Sequence, residues 1–458
     1  MERKHTDLRY VYYISGVTAL AGLLFGFDIA VINGALVFLR DAFHLSEQQI
    51  ELAASSLIFG CIGGAAIAGI VSDRYGRRIP LAIAALLFGL SSLGAGLAST
   101  FMQFEIARFL GGLAIGVGSM LAPLYIAEAS PARVRGRLVS LNQMAIVSGI
   151  LLAYLVNWIF SFLGDSSWRW MFAIGVVPSI LLFGGMFFVP ESPRWLMERG
   201  REDEALATLQ RVEGDNASFE LTGIRQAVAL EKSSYRDLLA PQLRRPLFLI
   251  TALAILQQLT GINTVLFYGA LIWEEHLGSK SHSASIGANV TIGIVNFAAT
   301  VLALWLIERL GRRPLLLFSC GCMALCQFGL GISFLVHPTP AWLALGCMLL
   351  SVAAFAVGLG PCTWVLMAEI LPTRVRGRAM SLANVALWVA SFTLTATFLS
   401  LSRALTITGA FAVYSGMCVV AFVLIWFMAP ETRGKTLEEI ERFWLTGERT
   451  AKPRTSML

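Results

Sequence analysis

Three charged side chains lie within apolar segments of this 458-residue chain, where charge is costly: Asp28, Glu105 and Arg108. Asp28 stands about eighteen residues into a segment that we place running outward, and Arg108 about seven residues into one running inward. At ~1.5 Å of rise per helical residue the two share a depth, so we expect a buried ion pair. If Asp28 takes up a proton, Arg108 loses its partner at a cost of ~3 to 5 kcal/mol, which can bias the packing of the helices. This arrangement predicts a proton-coupling site. The alternatives are a static pair, or a pairing of Arg108 with Glu105 three residues before it.

A second group of polar residues presents amides on the seventh apolar segment. Gln257, Gln258 and Asn263 flank Thr260-Gly261, where the helix can break if its backbone lines a cavity. Amides both donate and accept hydrogen bonds, so they suit a polyhydroxyl ligand better than an ion. The alternative is that they form polar contacts between helices. Further candidates for the same cavity are Gln143, Asn296, Trp364 and Trp388.

Three charged motifs each occur twice, at places that we assign to cytoplasmic helix ends. Residues 128–137 recur as 369–378, identical at seven of ten positions and offset by 241, while 73–78 recur as 308–313 and 190–192 as 430–432. Arginine can hold several carboxylates or helix-end carbonyls, so we predict a cytoplasmic gate that latches the two repeats when the cavity opens outward. The alternative is that these arginines only set the topology. The candidate gate residues are Asp73, Arg77, Glu128, Arg135, Glu308, Arg312, Glu369 and Arg376.

The elements that must position these residues are membrane helices. Hydrophobic residues make up 56% of the chain and charged residues only 14%, against ~25% charged in soluble domains. This excludes a soluble enzyme, a disordered chain and nucleic-acid binding, despite the net charge of +6. Hydropathy predicts an all-α membrane protein with twelve spans. The predicted spans are 10–39, 50–72, 79–98, 101–128, 138–161, 169–189, 247–273, 283–307, 315–337, 341–368, 379–401 and 405–428.

Basic residues are distributed unevenly among the loops. With the N-terminus inside, the predicted cytoplasmic segments hold 30 of the 35 lysines and arginines, which predicts that both termini are cytoplasmic. The charged segment 190–246 is predicted to be a cytoplasmic linker with helices near 202–211 and 223–231, acting as a spacer or as a brace for the gate. The chain then divides into a six-helix bundle at 1–189, this linker, a second six-helix bundle at 247–430 and a cytoplasmic tail at 431–458.

The repeated motifs stand at a nearly constant offset and indicate a duplicated six-span unit. Parallel repeats of this kind form transporters whose substrate site lies between the halves near the middle of the membrane. No nucleophile with a base, phosphate-binding loop or metal-ligand spacing is apparent, so we predict no enzyme, no metal and no cofactor. The seven cysteines lie in apolar stretches, and we interpret them as buried packing residues.

Together these segments resemble the sugar porters of the major facilitator superfamily over nearly the whole chain. The resemblance rests on Phe25 to Asp28, on 69–78, 128–137, 190–194, 257–263 and 308–313, on Gly358 to Pro361 with Trp364, and on 430–434. It implies the twelve-helix major facilitator fold and a carrier for sugars or polyols, with Asp28 and Arg108 as the proton-coupling pair of the bacterial symporters. It implies that the substrate-binding residues are Phe25, Gln143, Gln257, Gln258, Asn263, Asn296, Trp364 and Trp388.

Several positions depart from the family pattern. Phe267 replaces a frequent tyrosine, Leu387 precedes Trp388 where relatives have an amide, and Ala356 replaces a frequent glutamate. The C-terminal half of the implied site is therefore less polar than in relatives. The identity of the sugar stays open among hexoses, pentoses and polyols.

We therefore predict a multi-pass protein of the cell membrane that imports a monosaccharide or related polyol with a proton, by alternating access. Its expected partners are the solute, the proton and the lipid bilayer, with no nucleic acid, and the functional unit is expected to be a monomer. Two alternatives remain. Uptake by a facilitative uniporter with a structural Asp28 would not depend on a pH gradient. A non-transporting sugar receptor would bind the solute without moving it across the membrane.

Overall fold

The computed structural model describes residues 8–230, 238, 240–276, 282–336, 339–371 and 373–433. Every regular element within these ranges is a helix, as hydropathy predicts. In chain order the α-helices are α1 (Leu8–Phe43), α2 (Glu47–Tyr75), α3 (Arg78–Leu97), α4 (Phe101–Glu128), α5 (Ala132–Phe160), α6 (Ser167–Ala173), α7 (Val176–Met186), α8 (Pro193–Glu198), α9 (Glu202–Glu213), α10 (Ala217–Leu230), α11 (Arg244–Leu259), α12 (Ile262–His276), α13 (His282–Leu310), α14 (Arg312–Ser333), α15 (Ala341–Val357), α16 (Leu359–Ile370) and α17 (Thr373–Met428).

The described chain contains 11 helical stretches that are long and apolar enough to cross a membrane. The last stretch, in α17, contains two spans because Thr406 departs from helical geometry, with φ 64° and ψ 163°. The Thr406 hydroxyl accepts a hydrogen bond from the Gly409 N–H at 3.3 Å, as expected of a residue that begins a helix. Each of the twelve predicted spans therefore has a helical counterpart in the described ranges.

The helices differ from the predicted spans at their ends and in their continuity. α5 begins at Ala132 rather than near 138, because hydropathy detects only the apolar part of a helix whose polar turns continue past the membrane. The predicted break at Thr260-Gly261 is present between α11 and α12. Two further breaks, between α6 and α7 and at Gly358 between α15 and α16, were not predicted.

Small residues let α2 and α4 pack with their backbones in contact. A Cβ atom built at Gly112 would lie 1.9 Å from the carbonyl oxygen of Leu57, and one at Gly116 would lie 2.4 Å from that of Cys61. On α2, a Cβ at Gly60 would lie 2.2 Å from the Phe109 carbonyl oxygen. Such close approach is typical of membrane helices, which gain stability from van der Waals packing. It fixes the position of Arg108, which lies one turn before Gly112.

Helices α8, α9 and α10 form the linker between the two halves and have a small apolar core of their own, which includes Trp195, Leu209 and Leu221. The Trp195 indole donates to the carbonyl oxygen of Asp73 at 2.9 Å, so the linker contacts the N-terminal half. Both predicted linker helices are present as α9 and α10. The rest of the predicted linker at 231–237 and 239, and the tail from 434, lie outside the described residues.

We call the end of the bundle next to α8–α10 the linker face and the opposite end the distal face. Toward the distal face the halves are joined by hydrogen bonds. Asn33 on α1 donates to the carbonyl oxygen of Leu266 at 2.8 Å and accepts from the Ala270 N–H at 3.1 Å. Glu51 on α2 accepts from the N–H and hydroxyl of Ser400 at 2.7 and 2.8 Å. The distal face is therefore closed in this structure.

Candidate functional site

Asp28 and Arg108 form a buried pair between α1 and α4. The Arg108 Nη1 atom donates to Asp28 Oδ1, and Nη2 donates to the Asp28 main-chain oxygen at 3.3 Å. Asp28 is 3% and Arg108 1% exposed. The guanidinium lies over the Phe172 ring, 5.1 Å from its centroid. The structure therefore pairs Arg108 with Asp28, as the matched depths predict, rather than with Glu105.

Tight packing of α1, α3 and α4 holds this pair in place. A Cβ at Gly111 would lie 2.4 Å from the Ser91 hydroxyl oxygen and 3.6 Å from Asp28 Oδ2, so a side chain here would displace the Ser91 hydroxyl. Ser91 donates to the Ala107 carbonyl oxygen at 2.7 Å and thereby ties α3 to α4. Among the described residues, no hydrogen bond reaches Asp28 Oδ2 or Arg108 Nε. The carboxylate therefore keeps a free oxygen that can accept a proton.

The break in the seventh span brings together amides that a regular helix would separate. Gly261 has φ 82°, which favours glycine, and separates α11 from α12. Asn263 donates to Gln258 Oε1 at 2.7 Å and to the Ser391 hydroxyl at 2.8 Å. Sequence reasoning missed Ser391, because a single serine in an apolar span carries no distinctive signal. The three side chains link both sides of the break to α17.

Gln257 has a different environment from Gln258. Its amide donates to the carbonyl oxygens of Leu359 at 2.7 Å and Gly360 at 3.2 Å, in the first turn of α16. Gln257 is 2% exposed. In this structure it therefore joins two broken spans, which is the interhelical role that we weighed as the alternative.

The other predicted substrate residues fall into two groups. Phe25 of α1 packs edge-on against Trp388 of α17, with ring centroids 5.5 Å apart, so these two join the halves. The Trp388 indole N–H is buried and has no partner among the described residues. Gln143 and Trp364 are half-buried and Asn296 is buried. No hydrogen bond or ring contact of the described residues joins these three to the Gln258 cluster.

At the linker face, the first set of repeated motifs forms a cluster within the N-terminal half. Arg77 makes two hydrogen bonds of 2.9 Å to the Glu128 carboxylate. Ser192 donates to the same carboxylate at 2.5 Å. Glu191 accepts from the Arg77 N–H at 2.9 Å. Burial raises the pKa of Glu191, although backbone N–H donors oppose it. Burial lowers the pKa of Arg77, but Glu128, with Glu198 and Asp73, outweighs burial, so the pKa of Arg77 is raised.

The second set of motifs repeats this cluster in the C-terminal half. Arg312 donates to Glu369 at 3.2 and 2.8 Å, Thr432 donates to Glu369 at 2.5 Å, and Glu431 accepts from the Arg312 N–H at 3.2 Å. A Cβ on Gly311 would lie 2.6 Å from Glu431 Oε2, and its φ is 95°, so the turn requires glycine. The repeated sequence motifs therefore form the same set of hydrogen bonds in each half.

The predicted gate residues do not bridge the two halves in this structure. The Arg77–Glu128 and Arg312–Glu369 pairs each lie within one half. The side chains of Asp73 and Glu308 are exposed. Arg135 lies 3.6 Å from Glu220 of linker helix α10. The side chain of Arg376 lies outside the described residues. A latch between the halves stays a prediction for a state that opens at the distal face.

Sequence reasoning missed the charged contacts at the distal face. Arg40 at the end of α1 pairs with Glu274 of α12 at 2.6 Å. His282 at the start of α13 lies 2.9 Å from Glu274 and 3.5 Å from Asp41. The sequence indicated only that these residues lie at the ends of predicted spans, where charged residues are common. Their pairing across the halves depends on the fold.

Two packed six-span halves, with a buried acid–base pair in one and a broken-helix amide cluster in the other, define a secondary transporter. The family model described as "Sugar (and other) transporter" matches residues 14–444. The chain belongs to the sugar porter family of the major facilitator superfamily.

Named relatives align over nearly their full length. The D-xylose-proton symporter of Escherichia coli K12 is 37% identical over 95% of this chain and 96% of its own. The arabinose-proton symporter of Bacillus subtilis is 36% identical over 97% of each chain. The solved structure of the proton:xylose symporter XylE bound to 6-bromo-6-deoxy-D-glucose has a TM-score of 0.83 at 36% identity, covering 96% of this chain and 100% of that one. This protein is thus a multi-pass membrane transporter.

Proposed function

We propose that this protein is a proton-coupled symporter that imports a monosaccharide or related polyol, with Asp28 as the proton acceptor. The observation that carries the proposal is the buried Asp28–Arg108 pair with an unpartnered Asp28 Oδ2 atom. The relatives named for proton symport with D-xylose and arabinose support the same chemistry. The binding of the solute is assigned to Gln258 and Asn263, together with the other predicted substrate residues.

Coupling follows from the cost of an unpaired charge in an apolar interior. When Asp28 is ionised, its charge balances Arg108 and holds α1 against α4. When Asp28 is protonated, the attraction falls, and α1 becomes free to shift against α4. Since α1 also contacts the C-terminal half through Asn33 and Phe25, such a shift is transmitted to the contact between halves.

The direction of transport follows from the topology that we propose. The basic linker face is assigned to the cytoplasm, with both termini on that side of the cell membrane. The structure, closed at its distal face, then corresponds to a state that is closed to the outside. The functional unit is proposed to be a single chain, because each chain holds both halves of the site.

Uptake into proteoliposomes tests the proposal. A panel of radiolabelled pentoses, hexoses and inositols, offered with and without an inward proton gradient, identifies the solute. We expect the gradient to drive accumulation by the wild type. Asp28→Asn should exchange the solute across the membrane but fail to accumulate it, because the variant cannot change its charge.

The matched control is Asp203→Asn, which makes the same chemical change at an exposed residue of α9 and should accumulate normally. Uptake that does not depend on the proton gradient and is unaffected by Asp28→Asn would instead establish uniport. Binding without uptake by the wild type would exclude a transporter.

A further inference from the structure

Glu105 is a second buried carboxylate next to the coupling pair, and the cycle described above does not use it. It lies on α4 one turn before Arg108, toward the distal face, and is 8% exposed. Its Oε1 atom is buried without a hydrogen-bond partner among the described residues, as are Asp28 Oδ2 and Arg108 Nε. The cluster thus holds one unused donor on the guanidinium and an unused acceptor on each of two carboxylates.

The surroundings of Glu105 are otherwise poor in charge. Ser56 of α2 lies beside the Glu105 carboxyl, close enough to interact with it, but the Ser56 hydroxyl and Glu105 Oε1 do not meet hydrogen-bond geometry in this structure. From α3, Ser91 already uses its hydroxyl on the Ala107 carbonyl oxygen. The charged and titratable groups described around the cluster are Arg108 on the same helix, Asp28 on α1 and Cys61 on α2. Among the described residues, Arg108 is therefore the cation with which Glu105 can pair.

We propose that Glu105 is the alternate counter-ion of Arg108, so that the guanidinium turns from Asp28 to Glu105 when Asp28 is protonated. The inference rests on the proposed symport. Residues three apart on a helix are neighbours, so Arg108 reaches Glu105 by changing rotamer without moving α4. The Nε donor and the Glu105 Oε1 acceptor, both unused here, become partners in the switched state.

Charge counting gives the direction of the effect. With Glu105 ionised, proton uptake by Asp28 takes the three side chains from a net charge of −1 to 0. With a neutral residue at 105, the same step takes them from 0 to +1 and leaves a buried cation uncompensated, which is costly. Glu105 therefore favours proton uptake. It acts as a positioning residue for Arg108.

The first test is the pH dependence of accumulation by Glu105→Gln. Because the neutral amide disfavours protonation of Asp28, half-maximal accumulation should move to lower pH by about one unit. Glu105→Asp keeps the charge and should return the profile toward that of the wild type. An unchanged profile for Glu105→Gln would overturn the proposal.

The second test combines substitutions, with Asp28→Asn standing for the protonated state. In Asp28→Asn the guanidinium depends on Glu105 alone. The double variant Asp28→Asn with Glu105→Gln should therefore lose exchange by about tenfold or more relative to Asp28→Asn. Its melting temperature should also fall by more than Glu105→Gln lowers that of the wild type.

Two comparisons keep this test decisive. Asp28→Asn with Glu105→Asp restores the charge and should recover exchange, even if the glutamine double variant folds poorly. Failure to recover, or equal exchange and melting in Asp28→Asn with and without Glu105→Gln, would overturn the role of Glu105. Accumulation by Asp28→Asn alone would overturn the proposed coupling, while the melting comparison would still report on Glu105.

Discussion

At the residue scale, Asn263 connects the parts of the amide cluster and keeps an atom available for a ligand. Both N–H groups of its amide are used, on Gln258 and Ser391, while no hydrogen bond from the described residues reaches Oδ1. A sugar hydroxyl can therefore donate to Asn263 Oδ1, and the neighbouring groups fix its orientation.

Asn263→Ala removes this acceptor and leaves Gln258 without its donor. We expect the apparent KM for the transported solute to rise by about tenfold, since each lost hydrogen bond costs ~1 kcal/mol or more. Counterflow at varied solute concentration measures the change. Thr393→Ala is the control, because Thr393 is exposed on α17 and its hydroxyl donates to the Val389 carbonyl oxygen on the same helix. An unchanged KM in Asn263→Ala would remove this residue from the site.

Some of these residue-level relations were accessible to sequence reasoning, and others were not. The Asp28–Arg108 pairing follows from the depth of each residue, because helical rise is regular. The bond from Gln257 to the Leu359 carbonyl oxygen does not, because it depends on a backbone break at Gly358 that hydropathy does not register. Pairings between non-adjacent spans depend on crossing angles, which no local pattern contains.

At the element scale, the glycine contacts between α2 and α4 set the geometry of the charged pair. Gly112→Ala places a methyl group where the Leu57 carbonyl oxygen now lies, so the helices must separate. We expect destabilisation by ~1 to 3 kcal/mol, measured as a lower midpoint of thermal unfolding, together with weaker proton-driven accumulation.

Gly118→Ala is the control for this prediction, because it makes the same change on the same helix. A Cβ at Gly118 would meet Ala21 at an ordinary 3.9 Å. The midpoint of thermal unfolding of this variant should equal that of the wild type or lie slightly above it, because alanine favours helix over glycine. Equal stability of Gly112→Ala and Gly118→Ala would contradict the assigned packing.

The elements themselves were largely predictable, because a span must be long and apolar. Thr260-Gly261 was predicted as a break since polar residues surround it, and the helix does end at Leu259. The break between α6 and α7 lies in apolar sequence with no comparable signal. Helix ends were misplaced by several residues, as at α5, wherever polar turns extend a span.

At the scale of the whole molecule, the contact between halves decides which face is open. Asn33 donates to the carbonyl oxygens of Leu266 and Val265 and accepts from the Ala270 N–H. Asn33→Ala removes these bonds at the distal face. At ~0.5 to 1.5 kcal/mol for each, the population open at that face should rise by about tenfold or more.

Spin-label distances between the start of α2 and the kink of α17 near Thr406, both at the distal face, measure this shift. Asn157→Ala is the matched control, because Asn157 is equally buried but bonds to Ala30 and Val31 within its own half. It should lower stability without changing the distance distribution. An unaltered distribution in Asn33→Ala would show that this contact does not hold the face closed.

The duplicated motifs predicted the two halves, because both copies have the same spacing. They did not predict which face is closed, since alternating states of a carrier share one sequence. The Arg77–Glu128 and Arg312–Glu369 clusters lie within their own halves here, and a latch between the halves stays a prediction for a state that is open at the distal face.

Sugar-driven proton movement tests the central claim most directly. Proteoliposomes with a trapped pH indicator and no imposed gradient are given the transported solute from outside. The wild type should acidify the lumen as the solute enters, and Asp28→Asn should not, although it still exchanges solute. Solute entry without acidification in the wild type, or undiminished acidification in Asp28→Asn, would contradict the account.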